Sequence, residues 1–260
     1  MREFEVNVFR DTVHKYSTTY AKETKELKTV NTKVYTEQPL SITPIVNSDM
    51  CIAVVSDGTV NAGKGLVDKF GTKTAILNFA DAIEPGGLVL YGETTQEENI
   101  CRCSNLYASL TTDIAYGGYY NYNSSLGSSV YSDRVIYSKN VLFFKDDTSY
   151  TDVKPYKMDV ITCPAPLGRR FVDEIEEHDI LYKRIVHILE VAIDNDVKNL
   201  VLGAWGCGAF GQNPKIVSKC FKEALAQYNC FDRVVFAIRS CRADMPKAYN
   251  NYDVFCDTLR

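Results

Sequence analysis

NLVLGAWGCGAFGQNP, Asn199–Pro214, decides how the rest of the chain is read. A short apolar run gives way to four glycines within nine residues, Gly203, Gly206, Gly208 and Gly211, and then to Asn213-Pro214. Gly206 to Gly211 is formally the G-x-G-x-x-G pattern of dinucleotide-binding α/β proteins. In that pattern the last glycine lies inside the helix, where it packs closely on the strand. Here Asn213 and Pro214 have the chemistry of a helix N-cap and first helical position, so the helix opens after Gly211. What remains is a wide glycine loop able to turn several N–H groups towards a diphosphate. The plain alternative is a tight turn whose glycines only supply positive φ. Phe210, an aromatic in an otherwise small-residue loop, favours a ligand. An oxidoreductase built on the loop is disfavoured by the position of Pro214.

Outward from this stretch, buried-strand runs occur at Cys51–Ser56, Lys73–Ala80, Val135–Phe144, Met158–Pro166 and Arg233–Ile238. Between them fall helical patterns. One is Val60–Phe70. A second runs from about Gln96 to Leu110, with Ile100, Cys103, Tyr107 and Leu110 at helical spacing. A third starts at an Asp173 cap and runs to about Asp194, with Ile185, Ile188, Leu189 and Ala192 inward, and a fourth opens at Pro214. Gly117–Ser132, rich in Gly, Tyr, Asn and Ser, reads as a long surface loop. The first forty residues are polar and lean helical, best from Thr12 to Thr29. Continuous apolar strands alternating with helices predict an α/β fold with a mixed, mainly parallel sheet. One domain over residues 1–260 is expected, with residues 1–45 as an N-terminal helical extension.

Composition narrows the function classes. Hydrophobic residues at 45% and charged residues at 24% are those of a globular protein. A net charge of −4 argues against general nucleic-acid binding. Nine cysteines without a Cys-x-x-Cys pair, several inside apolar runs, read as free thiols in a reducing compartment. His14, His178 and His187 are scattered and lack zinc spacing, and His187 falls on an apolar helical face suited to packing. The chain shows no apolar run of membrane length and no apolar signal region at its start, so a cytoplasmic location is expected, with a nuclear one open. A monomer is the expected state.

Two further stretches carry chemistry. NFADAIEPGG, Asn78–Gly87, leaves a strand and enters a Pro-Gly-Gly turn, which lets a ligand approach the main chain without a Cβ in the way. TTQEE, Thr94–Glu98, sits at the mouth of the second helix. Thr95 and Glu98 stand in the S/T-x-x-E relation of a capping box, with Thr94 and Glu97 as the alternative register. Adjacent helical residues point about 100° apart, so only one of the two acids aims straight at a bound substrate. An acid beside a diphosphate cradle suits chemistry on a sugar, because glycoside cleavage uses a carboxylic acid kept protonated by an apolar or like-charged setting.

In order and spacing, NFADAIEPGG, GETTQEENICRCSNLY, APLG and LVLGAWGCGAFGQNP resemble the bacterial-type poly(ADP-ribose) glycohydrolases, a branch of the macrodomain superfamily. The resemblance implies a three-layer α/β/α macrodomain-like fold that binds ADP-ribose or poly(ADP-ribose) on modified proteins and cleaves ribose–ribose O-glycosidic bonds with no metal and no cofactor. It implies that Glu98 is the catalytic acid and base and that Glu97 holds the ribose hydroxyls. Asn78, Phe79, Asp81, Gly86, Gly87, Leu88 and Gln96 would line the substrate site. So would Gly203, Gly206, Cys207, Gly208, Ala209, Phe210 and Gly211, with Gly86–Gly87 and the Gly206–Gly211 loop at the diphosphate and Phe210 on the distal ribose. Two residues depart from the family pattern. Leu88 stands where a third glycine is usual, and Asp81 where an Asn is often found. Both departures favour the alternative of a non-catalytic ADP-ribose reader; a hydrolase of mono-ADP-ribose conjugates is a further alternative.

Overall fold

The computed structural model describes residues 2–43, 46–71, 73–171, 173–240 and 250–260; Pro44 and Ile45, at the end of the expected extension, lie outside them. In chain order come α1 (Arg2–Ser17), α2 (Ala21–Thr29), β1 (Thr32–Tyr35), β2 (Cys51–Val55), α3 (Thr59–Phe70) and β3 (Thr74–Phe79). A 3-10 turn at Val89–Tyr91 leads to α4 (Gln96–Cys103), α5 (Leu106–Leu110) and α6 (Asp113–Ala115). A π-helical stretch, Tyr116–Tyr120, runs into α7 (Asn121–Ser125). The rest comprises β4 (Val135–Lys145), β5 (Asp152–Cys163), α8 (Glu174–Asp194), β6 (Asn199–Leu202), α9 (Pro214–Gln227), β7 (Arg233–Ala237) and α10 (Asn251–Leu259).

Among the described residues, seven strands are hydrogen-bonded in the order β1-β4-β5-β3-β6-β7-β2. The pairs β3–β6, β6–β7 and β7–β2 are parallel, whereas β1–β4 and β4–β5 are antiparallel. The uninterrupted apolar runs Ala75–Leu77 and Leu200–Leu202 are wholly buried, as parallel strands covered on both faces require. The chain divides into two compact units. Unit 1 is Met1–Thr36, Asn78–Ser128 and Arg134–Pro164, and unit 2 is Glu37–Leu77, Ser129–Asp133 and Ala165–Arg260.

In unit 1 the N-terminal segment packs on the rest of the unit. Thr12 Oγ1 donates to Arg102 O at 2.6 Å, the rings of Phe9 and Tyr107 meet edge-on at 5.1 Å, and β1 pairs with β4 from Thr32↔Ser138 to Tyr35↔Val135. Arg102, itself buried, donates to the carbonyls of Glu5 and Glu93, which fixes the end of α4 against α1. The single helix expected over Gln96–Leu110 is broken, because Ser104 is extended and bridges Phe143. Asn105 then pairs like a strand residue: its N–H donates to Leu142 O, its Oδ1 accepts from Leu142 N–H, and its Nδ2 donates to Thr24 Oγ1. Those three bonds outweigh helical continuity at a residue whose side chain competes with the backbone.

The expected surface loop at Gly117–Ser132 is also corrected, since the chain is helical as far as Ser125. Tyr119 and Tyr120 are buried with their rings edge-on at 4.8 Å, and that apolar area stabilises the turn against its two glycines. A Cβ on Gly118 would lie 3.0 Å from Val34 Cγ1, so glycine is what allows close approach to β1.

Unit 2 follows its sequence pattern closely. Ile185, Ile188, Leu189 and Ala192 of α8 are buried, and Asp173 caps that helix by accepting from Ile175 N–H at 3.0 Å. Asn213 caps α9 by accepting from Lys215 N–H at 3.0 Å, with Pro214 at the first helical position. His187 is buried, as packing requires, with Nδ1 3.7 Å from Glu190 Oε2.

Candidate active site

Unit 1 holds the acidic half of the expected site. The chain leaves β3 at Phe79 and turns at Asp81, whose Oδ1 accepts from the N–H groups of Ile83 (2.7 Å) and Glu84 (2.9 Å). This local turn needs only a short side chain with one acceptor oxygen, so Asp81 does here what an Asn also does. The turn delivers Gly86 and Gly87, both in the left-handed region with φ of 71° and 58°. A Cβ on Gly86 would lie 2.8 Å from the Tyr107 ring, and one on Gly87 would lie 2.6 Å from Glu98 Oε1 and 3.2 Å from Glu97 Oε2. Glycine at 87 is therefore what lets the two carboxylates approach the main chain.

The first turn of α4 reaches back to this segment with three consecutive side chains. Gln96 Oε1 accepts from Phe79 N–H at 2.8 Å. Glu97 Oε1 accepts from Asn78 Nδ2 at 3.0 Å, and its Oε2 from Asp81 N–H at 2.7 Å. Glu98 Oε1 accepts from Leu88 N–H at 3.0 Å, and its Oε2 from the Thr95 hydroxyl. The two acids thus diverge, one to Asn78 and Asp81 and the other to Leu88. The capping box is not made: Thr95 occupies the N-cap position, but its side chain forms no cap hydrogen bond.

Leu88 carries its side chain outward, 46% exposed, and has a φ of −98° that any L residue adopts. Its contribution to the acid is a backbone N–H, which does not depend on the side chain. Asn78 is fully buried, and its Oδ1 has no hydrogen-bond partner among the described residues, while its Nδ2 also donates to Thr162 Oγ1.

Burial pushes the Glu97 carboxyl well above the ordinary carboxylate range, and the charges of Asp81 and Glu98 act in the same direction. The bonds from Asp81 N–H and Asn78 offset this only in part. Behind Glu97, Tyr120 is buried with its hydroxyl unpartnered among the described residues, and burial together with the Glu97 charge raises its proton affinity. Cys101 is buried near the Gly86 position; desolvation, then Glu97 and Glu98, push its thiol up, so it stays protonated and unreactive.

Unit 2 holds the glycine loop expected at Gly203–Gly211. Gly203 O accepts from Trp205 N–H, Ala204 O from Cys207 N–H, Gly208 O from Gly211 N–H, and Gly206 O from Gln212 N–H. Gly206 and Gly211 have φ of 76° and 68°. Cys207 is half-buried with its Sγ towards Trp205 O, Gly208 and Ala209 are exposed, and Phe210 packs edge-on to Tyr131 with ring centroids 6.3 Å apart. Among the described residues the N–H groups of Gly208, Ala209 and Phe210 make no hydrogen bond. A Cβ on Gly208 would meet nothing within 4 Å.

Several supporting residues escaped the sequence reading. Thr95 was visible as a partner of Glu98 three residues on, but as a cap. Thr162, Tyr119 and Tyr120 carried no local signal beyond strand and aromatic character. Gly168, in the APLG stretch, underlies the glycine loop: its N–H donates to Phe210 O at 2.8 Å, and a Cβ there would lie 2.6 Å from Gly211 O. Among the described residues no group of three or more His, Cys, Asp or Glu side chains is placed to hold a metal, and no helix is long and apolar enough to cross a membrane.

Several solved structures resemble this chain. A poly(ADP-ribose) glycohydrolase from Thermomonospora curvata superposes with a TM-score of 0.87 at 29% identity, over 99% of this chain and 100% of that one. The same enzyme bound to the inhibitor ADP-HPD gives 0.85 at 30% identity, over 98% and 99%. The enzyme from Deinococcus radiodurans in complex with ADP-ribose gives 0.79 at 30% identity, over 91% and 96%. These relatives have the macrodomain-like α/β fold. A search of curated protein sequences gives no match. The model of the microbial-type PARG (poly(ADP-ribose) glycohydrolase) catalytic domain matches residues 11–146, just over half of the chain and including Asn78 to Glu98. With its paired acids opening a helix beside a Gly-Gly turn, the chain belongs to the microbial-type poly(ADP-ribose) glycohydrolase catalytic-domain family.

Proposed function

We propose that Glu98 is the acid and base with which this chain hydrolyses the ribose–ribose O-glycosidic bonds of poly(ADP-ribose) and releases ADP-ribose. The observation that carries this reading is the setting of the Glu98 carboxylate. One oxygen is held by a main-chain N–H, the other by a hydroxyl, and a missing Cβ at Gly87 opens the approach. In the first step the Glu98 proton passes to the leaving ribose oxygen as the bond to the anomeric carbon breaks, through an oxocarbenium-like state. In the second step water adds to that carbon and returns its proton to the Glu98 carboxylate.

Glu97 has the complementary task of holding the ribose hydroxyls. Each of its oxygens spends one lone pair on an N–H of Asn78 or Asp81, and a carboxyl oxygen has a second. The Asn78 Oδ1 supplies a further acceptor at the same place. The main chain at Gly86–Gly87 leaves room for an approaching ligand. In unit 2, the N–H groups of Gly208, Ala209 and Phe210 are donors of the kind that bind diphosphate oxygens. Phe210 offers a ring face to the distal ribose. The ligand is ADP-ribose, free or as the polymer on modified proteins.

The test incubates wild type and Glu98→Gln with poly(ADP-ribose) and with mono-ADP-ribosylated protein, following free ADP-ribose by chromatography. Wild type is expected to release ADP-ribose from the polymer. The variant should do so about a thousandfold more slowly, within the range usual for losing an acid–base group. Equal release by the two proteins would remove Glu98 from the role.

A further inference from the structure

A threonine at a helix N-cap ordinarily turns its oxygen inward, accepting from the N–H of the second or third helical residue. Thr95 gives that bond up. It sits at the N-cap of α4 with extended backbone (φ −78°, ψ −176°), yet its hydroxyl donates to Glu98 Oε2. A local preference abandoned beside a reacting group is where function overrides stability. The other oxygen of the same carboxylate receives Leu88 N–H at 3.0 Å, so the group is gripped at both ends.

From this geometry we propose that Thr95 is a positioning residue for Glu98, fixing the plane of its carboxyl and stabilising the charge it acquires on giving up its proton. The inference rests on the reading of Glu98 as the acid. A hydroxyl both donates and accepts, unlike the Leu88 amide, so it accommodates Glu98 with or without its proton. While Glu98 is neutral, the bond from Thr95 is an ordinary one. As the proton moves to the leaving oxygen the bond becomes charge-assisted and strengthens. An interaction stronger in the transition state than in the ground state speeds the chemical step without tightening substrate binding. When water later gives up its proton, the same two donors keep the carboxylate aimed. No oxidant, reductant or additional group enters either step.

Thr95→Val removes the hydroxyl and keeps the shape, whereas Thr95→Ser keeps the hydroxyl. With poly(ADP-ribose) as substrate, Thr95→Val should lower kcat about tenfold or more, as for a lost bond to a charged group, and leave KM within about twofold. Thr95→Ser should recover kcat to within about threefold of wild type, and both variants should bind ADP-ribose by calorimetry like wild type. In a Glu98→Gln background, Thr95→Val should cost nothing further, since its effect runs through the carboxylate. Unchanged kcat in Thr95→Val, a raised KM alone, or a serine variant as slow as the valine one would each overturn the inference. Glu98→Gln separates the two readings. If it is inactive while Thr95→Val is fully active, only the role of Thr95 falls; if it is active, the reading of Glu98 falls first.

Discussion

The acidic turn of unit 1 and the glycine loop of unit 2 are built on opposite plans. In residues 78–98 side chains do the holding: Gln96, Glu97 and Glu98 accept from the main-chain N–H groups of Phe79, Asp81 and Leu88, and the two acids also accept from the side chains of Asn78 and Thr95. In residues 203–211 main chain holds main chain, and the N–H groups of Gly208, Ala209 and Phe210 are left over among the described residues. The first plan fixes the direction of a carboxyl group to within one rotamer. The second presents donors to an anion without committing any side chain. Reacting groups need the former precision and diphosphates are served by the latter.

If this contrast is right, adding a single methyl group should act differently at the two places. Gly87→Ala is expected to have the larger effect. Its Cβ would press on Glu98 Oε1, a movable side-chain end, so the fold should persist at a cost of about 1–2 kcal/mol for the left-handed backbone. The displaced carboxylate should lower kcat about a hundredfold. Steady-state assay paired with a denaturant melt checks both, and a wild-type rate would show that the carboxyl is not held by that close approach.

Gly208→Val comes next. Its Cβ would meet nothing within 4 Å, so the melting temperature should change little, while ADP-ribose affinity by calorimetry should fall on the order of tenfold, about 1.4 kcal/mol. Unchanged affinity would take the loop out of ligand binding. The smallest effect is expected for Leu88→Gly, which keeps the N–H that serves Glu98. Hydrolysis should stay within about threefold, with a stability loss of about 0.5–1 kcal/mol from backbone freedom. A large change in rate would assign the Leu88 side chain a part that its exposure does not reveal.

How far the sequence discloses all this depends on whether the signal is local. Asn213-Pro214 and Asp173 announce helix starts through chemistry contained in two or three residues, and the structure has both caps. The buried strands and the inward face of α8 follow from periodicity. Asn105 is different, because its three bonds to Leu142 and Thr24 come from segments distant in the chain, and no helical pattern discloses them. Tyr119 and Tyr120 lie in a stretch whose glycines suggest a loop, until burial of the rings and the fit of Gly118 on Val34 decide otherwise. At the acidic turn, Gln96-Glu97-Glu98 and Gly86-Gly87 were legible as a set. The particular N–H each oxygen takes was not, because that is a matter of where α4 is anchored by Arg102 and α1. Thr95 shows the limit most clearly: the relation to Glu98 was visible, but the direction of the bond was not.

The glycine loop also has a consequence for protein engineering. Its shape is not stored in residues 203–211 alone. Gly168 N–H holds Phe210 O, Gln212 Nε2 donates to Pro166 O at 2.6 Å, and a Cβ on Gly206 would sit 2.8 Å from the Ala165 Cβ. Leu167 N–H in turn donates to Ser129 O at 2.9 Å. The nine-residue loop is a casting and the Ala165–Gly168 segment is its mould. Transplanting the loop onto another scaffold to make a diphosphate binder would therefore require moving both pieces, with Gly168 kept as glycine.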